Sequence, residues 1–154
     1  MAENRDSRTG SQAGEGREGR ILVVEDDPLL RRVIVKTLQT WGYASVEAPD
    51  GVAALEEVER SSGELSVILL DIMLPRLDGL EVARRVGAER PELPIVACSA
   101  ALTEGLIQDL REAGVRVFLP KPYSAQALRA ILVRVTLGID AAGPDETCPP
   151  GAPD

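Results

Sequence analysis

Residues 21–30 read ILVVEDDPLL, and within them the hydrophobic period changes from that of a strand to that of a helix. The run 21–24 is short, apolar and rich in β-branched side chains, which favours an extended chain. Three acids follow. Asp27-Pro28 then has the form of a helix start. The aspartate oxygen can accept from free N–H groups, and a proline in the first turn sacrifices no intrahelical bond. From there Leu29, Leu30, Val33, Ile34, Thr37, Leu38 and Trp41 recur three or four apart, until Gly42 stops the pattern.

The same unit recurs down the chain. Further apolar runs lie at 43–48, 65–70, 95–98 and 115–119. Four more helical patterns accompany them. Val52, Leu55 and Val58 mark the first of these, and Leu80, Ala83 and Val86 the next. Leu102, Leu106, Ile107, Leu110 and Ala113 then lead to Gly114, and Leu128, Ile131, Leu132 and Val135 to Gly138. Asp50, Asp78, Thr103 and Ser124 are the expected caps. Gly105 weakens the fourth helix, which is expected to be the most mobile. Five strands alternating with five helices predict a doubly wound α/β domain, its parallel sheet covered on both faces.

The alternation occupies about residues 20–138. Residues 1–19 are charged and Gly/Ser-rich, without the apolar run of a signal peptide; residues 139–154 hold four prolines, four acids and no base. Both are expected to be disordered tails, because neither can bury enough apolar surface to offset chain entropy. No apolar run nears the roughly 20 residues of a membrane helix.

Composition removes whole classes of function. Across 154 residues, 25 acids against 17 bases give a formal charge of −8, half of it from the C-terminal tail. That balance opposes a nucleic-acid surface, and four aromatics (Trp41, Tyr43, Phe118, Tyr123) are too few to stack bases. No histidine occurs. His-based acid–base catalysis, Ser-His or Cys-His nucleophiles and histidine-ligated zinc are therefore excluded. Cys98 lies in an apolar run and Cys148 in the Pro-rich tail, so no disulfide framework is read. A cytoplasmic protein without membrane or nucleic-acid partners is expected.

In open α/β sheets, ligands gather beyond the carboxyl ends of the strands, where the strand order reverses. With the order 2-1-3-4-5, the second strand is an edge ending in Ala48-Pro49, which offers nothing reactive. The other four lead into Glu25-Asp26-Asp27, Asp71, Ser99 and Lys121. Carboxylates crowded on one rim repel each other unless a cation lies among them. With oxygen donors only, that cation should be hard. A few carboxylates plus water and a phosphoryl oxygen suit Mg²⁺ better than an all-protein calcium cage. Lys121 offers a point positive charge, Ser99 a hydroxyl donor, and Asp71 a carboxylate able to accept a phosphoryl group. Only two lysines stand against fifteen arginines, so Lys121, between two prolines, reads as chosen for its compact ammonium.

Singly, these residues have plainer readings. Asp71 could simply end a strand, Ser99 is an ordinary small residue, and Lys121 an ordinary solvated charge. Joint placement at four strand ends, in order, is what a Mg²⁺–phosphoryl site requires. Asp27 stays a helix cap, Asp78-Gly79 a helix start, and Cys98 a buried apolar residue.

The segments ILVVEDDPLL (21–30), LLDIMLPRLDGLEV (69–82), IVACSA (95–100) and AGVRVFLPKPY (113–123) together resemble the receiver domain of two-component response regulators. The resemblance implies a flavodoxin-like receiver fold. It implies that Asp71 is phosphorylated by a partner histidine kinase or phosphotransfer protein. Asp26, Asp71 and the Met73 backbone carbonyl would ligate Mg²⁺, with Glu25 acting mainly through bound water. Ser99 and Phe118 match the family's switch positions, although a lone aromatic in a strand is otherwise simply core. The Lys121–Pro122 bond matches one usually cis in the family.

By the same resemblance, Asp71 attacks phosphohistidine in line, Ser99 moves inward and Phe118 follows. The face formed by the fourth helix, fifth strand and fifth helix is reshaped for a downstream protein, and phosphorylation-dependent dimerisation is left open. Met73 and Ala101 fall where the family tunes hydrolysis, and neither can orient water, so slow self-dephosphorylation is expected. The chain is thus a phosphoacceptor assisting its own phosphorylation, not an enzyme in the ordinary sense. A stand-alone receiver is expected, with a receiver cut from a longer chain as the alternative. Two rivals are weaker. A haloacid-dehalogenase-like phosphatase needs a second acid where Met73 stands, and a non-phosphorylated interaction module should lack part of the acid–lysine set.

Overall fold

Five parallel strands and five helices alternate along the chain in a computed structural model that describes residues 19–61 and 63–138. The expected tails at 1–19 and 139–154 lie outside the described residues, Gly19 excepted. The strands are β1 (Arg20–Val24), β2 (Ala44–Ala48), β3 (Leu65–Asp71), β4 (Ile95–Ser99) and β5 (Val117–Pro120). The helices are α1 (Pro28–Thr40), α2 (Gly51–Ser61), α3 (Gly79–Glu89), α4 (Glu104–Glu112) and α5 (Ala125–Thr136). The sheet order is β2-β1-β3-β4-β5, as expected.

Strand alternation divides the core between two faces. Leu22, Val24, Ile68, Leu70, Ala97 and Phe118 pack with α2, α3 and α4. Ile21, Val23, Val67, Leu69, Val96 and Leu119 pack with α1 and α5. Both faces of the sheet are therefore apolar, which explains why the strand runs read as continuous rather than alternating.

Caps fall where the sequence puts them. Asp27, Asp78, Thr103 and Ser124 accept from first-turn N–H groups of α1, α3, α4 and α5, and Asp50 Oδ1 accepts from Ala53 N–H in α2. Two strands start later than their apolar runs. Tyr43 N–H donates to Leu38 O and Val115 N–H to Leu110 O, so both residues close helix ends before the chain extends. The first helical pattern is also wider than its buried face. Leu29 and Val33 are 75% and 60% exposed, while Ile34 and Leu38 are buried. α4 buries only Leu110 fully, in keeping with its weak pattern.

Register places the strand ends on one rim. Val24 lies opposite Ala48 and Leu70, Asp71 opposite Cys98, and Ser99 opposite Pro120. The order reverses between β1 and β3, so the residues following Val24 and ending β3 flank the switch point.

Candidate functional site

β1 delivers Glu25 and Asp26 to this rim. Glu25 is buried, its N–H donating to Ala48 O at 3.1 Å, while Asp26 is exposed. Asp71 closes β3 and is buried, its Oδ1 accepting from Met73 N–H at 3.2 Å. One carboxylate oxygen from each of Glu25, Asp26 and Asp71 lies within 4.8 Å of the others.

Lys121 enters from the far side of the sheet. Its N–H donates to Ser99 O at 2.9 Å, which ties the residue after β5 to the end of β4. Its Nζ lies 3.1 Å from Glu25 Oε1 and 3.3 Å from Asp71 Oδ2. The Lys121–Pro122 bond is cis. Ser99 is buried, its Oγ accepting from Ala101 N–H at 3.0 Å. Phe118, one residue behind Leu119 in β5, is fully buried, with the Arg111 guanidinium 5.4 Å from its ring centroid.

Close packing fixes the surroundings of Asp71. Gly79 opens α3 against the backbone leaving β3, so close that a Cβ there would stand 2.5 Å from Ile72 Cα and 2.8 Å from Asp71 O. The Gly79 N–H donates to Ile72 O at 2.9 Å. Met73 follows Asp71 by two residues and is 64% exposed, and Ala101 is exposed too.

Electrostatics pull the site in two directions. Burial pushes the Glu25 carboxyl above its ordinary pKa, and the hydrogen bond from Lys121 only partly offsets this. Burial also works against the Lys121 ammonium, but Asp71 and Glu25 outweigh it and hold its pKa above the ordinary value. Lys121 is therefore a secure cation. Burial likewise raises the Cys98 thiol strongly, which leaves it an apolar core group rather than a nucleophile.

Three carboxylates and one ammonium leave two formal negative charges facing a rim where Asp26 is open to solvent. The donors are all hard oxygens, with neither imidazole nor thiolate. That set fits a small divalent cation that keeps part of its water shell.

All predicted ligand side chains, the acceptor and the lysine thus meet at one place. Ser99 stands on the same rim with its hydroxyl engaged by Ala101, and Phe118 lies below it in the core. Two arginines make contacts that the sequence does not announce. Arg31 reaches back from α1 to donate to Glu25 O at 2.7 Å, and Arg76, at φ +69°, lies with its guanidinium 3.4 Å from Asp50 Oδ2. Neither arginine carries a motif or a spacing that would have singled it out.

Comparison with known proteins gives a consistent result. The family model described as "Response regulator receiver domain" matches residues 21–133. "Response regulator MprA" of Mycobacterium ulcerans is 39% identical over 127 residues, spanning 80% of this chain and 54% of that protein. The chain spans about half the length of the curated relatives it matches. The "signal receiver domain of the putative response regulator NarL" of Mycobacterium tuberculosis superimposes with a TM-score of 0.71 at 28% identity. That match covers 79% of this chain and 98% of the other. A CheY-like receiver domain protein from Methanospirillum hungatei, at 21% identity, shares the fold with a TM-score of 0.75 over 82% of this chain and 99% of its own.

Proposed function

The chain belongs to the response regulator receiver domain family of two-component signalling, and on that premise we propose that it accepts a phosphoryl group on Asp71. The donor is phosphohistidine on a partner histidine kinase or phosphotransfer protein. One observation carries the reading: Lys121 Nζ touches both Glu25 and Asp71 beside an open carboxylate cluster that includes Asp26.

An Asp71 carboxylate oxygen forms the new O–P bond in line, the P–N bond breaks, and its electron pair leaves with the histidine nitrogen. Glu25, Asp26, Asp71 and the Met73 carbonyl would hold Mg²⁺, which when bound supplies charge neutralisation for the phosphoryl oxygens. Lys121, already poised at Asp71, adds a fixed positive charge to the same oxygens. The buried Ser99 hydroxyl turns from its contact with Ala101 N–H and donates to a phosphoryl oxygen.

Phe118 is the partner of that movement. It is already fully buried, so phosphorylation raises the share of an inward-packed state that the resting chain also visits. The face of α4, β5 and α5 then carries the signal to a protein target, or the phosphoryl group passes onward by relay. Residues 20–138 form the working domain, and a cytoplasmic setting suits a phosphohistidine donor. Met73 and Ala101 offer no group to orient an attacking water, so the acyl phosphate is long-lived. A first-order loss as fast as that of chemotaxis-type regulators, measured by phosphate release, would contradict this.

Borohydride trapping tests the acceptor assignment. Reduction of the acyl phosphate converts the aspartate to homoserine, and peptide mapping should find homoserine at position 71 alone. Homoserine elsewhere, with Asp71 intact, would sink the assignment.

A further inference from the structure

We infer that Arg31 is a positioning residue for the cation-binding turn, held in place by Glu47 of the edge strand. The inference rests on reading Glu25, Asp26 and Asp71 as a cation site. Asp26 is the ligand whose placement needs explaining. It is exposed, and its carboxylate makes no hydrogen bond or ion pair among the described residues. Its position must therefore come from the backbone that carries it.

That backbone is held from outside at the peptide joining Glu25 to Asp26. Arg31 Nη1 donates to Glu25 O at 2.7 Å, a short charge-assisted bond. A peptide group is planar, so a bond that holds its oxygen restrains the plane that also contains the Asp26 nitrogen and Cα. The side chain of Asp26 departs from that Cα. Nearby ties hold other atoms: Glu25 N–H donates to Ala48 O, and Asp27 N–H donates to Glu25 Oε2.

Arg31 is itself aimed. Its Nε donates to Glu47 Oε1 at 3.0 Å, and its own N–H donates to Asp27 O at 2.9 Å. The guanidinium thus spans α1, the turn after β1, and β2. Its side chain is only 17% exposed, whereas the neighbouring Arg32 is exposed and has no hydrogen bond or ion pair among the described residues. β2 supplies no ligand to the site, yet through Glu47 it orients one.

Mg²⁺ titration by calorimetry of the unphosphorylated protein tests this, with thermal unfolding as the check on folding. Arg31→Met should weaken Mg²⁺ binding by about tenfold, the scale seen when groups that orient metal ligands are removed. Glu47→Gln, on the exposed edge, should weaken it less and in the same direction. Arg31→Lys should stay nearer Arg31→Met than the unsubstituted protein, because one ammonium lacks the fork that reaches both acceptors. Arg32→Met removes the same charge without touching the turn and should leave affinity within about twofold.

Affinity within about twofold in a folded Arg31→Met would overturn the inference while leaving the cation site standing. So would full recovery in Arg31→Lys, or an equal loss in Arg32→Met, since either would make bulk charge the cause. Absence of Mg²⁺ binding by the unsubstituted protein would overturn both the inference and the reading beneath it.

Discussion

Lys121 shows how much of the site depends on one side chain. It touches two carboxylates that are themselves buried, and those same carboxylates keep it charged despite its own burial. Its ammonium would stabilise charge developing on the transferring phosphoryl group, where loss of one preorganised donor costs about 10²–10³ in rate. Lys121→Met should therefore accept phosphoryl from acetyl phosphate at least about a hundredfold more slowly, measured by intact mass against time. A rate within a few-fold of the parent would remove Lys121 from the mechanism. Residue identity made this lysine legible, because lysine is rare in the chain and sits between prolines. Arg31 was not legible. Its partner Glu47 is sixteen residues away, and a contact set by how α1 lies on β2 leaves no periodic trace in either segment.

Elements were legible wherever a local rule governs them. Asp27, Asp78, Thr103 and Ser124 are caps because short polar side chains satisfy the free N–H groups that every helix start exposes. Boundaries set by longer-range bonds were not, as Tyr43 and Val115 show. Nor was the exposure of Leu29 and Val33, since apolar spacing alone does not say how wide a stripe the sheet will cover. Two glycines test opposite ends of this logic. Gly79 meets the backbone of Asp71 and Ile72, whereas Gly105 in α4 has nothing within 4 Å. Gly79→Ala should lower stability by about 1–3 kcal/mol through overpacking and should disturb phosphoryl acceptance as well. Gly105→Ala should raise stability by up to about 1 kcal/mol, by restricting the unfolded chain and favouring the helix. Paired denaturant titrations check both, and equal effects of the same sign would contradict the packing described.

At the scale of the molecule, the parallel order β2-β1-β3-β4-β5 converts four separated sequence segments into one rim. The meeting of these strand ends is legible in the sequence because strand order decides which ends are neighbours. The packing partners of Phe118 are not, because the Arg111 guanidinium over its ring is set by how α4 lies on the sheet rather than by the residue's own identity. The absence of histidine also takes its meaning at this scale. These 154 residues contain no histidine, so no phosphohistidine can form among them. The most direct measurement is intact mass after incubation with acetyl phosphate and Mg²⁺. One added phosphoryl group is expected, lost in Asp71→Asn and on chelation of the metal. No adduct in the unsubstituted protein, or an adduct that persists in Asp71→Asn, would contradict it.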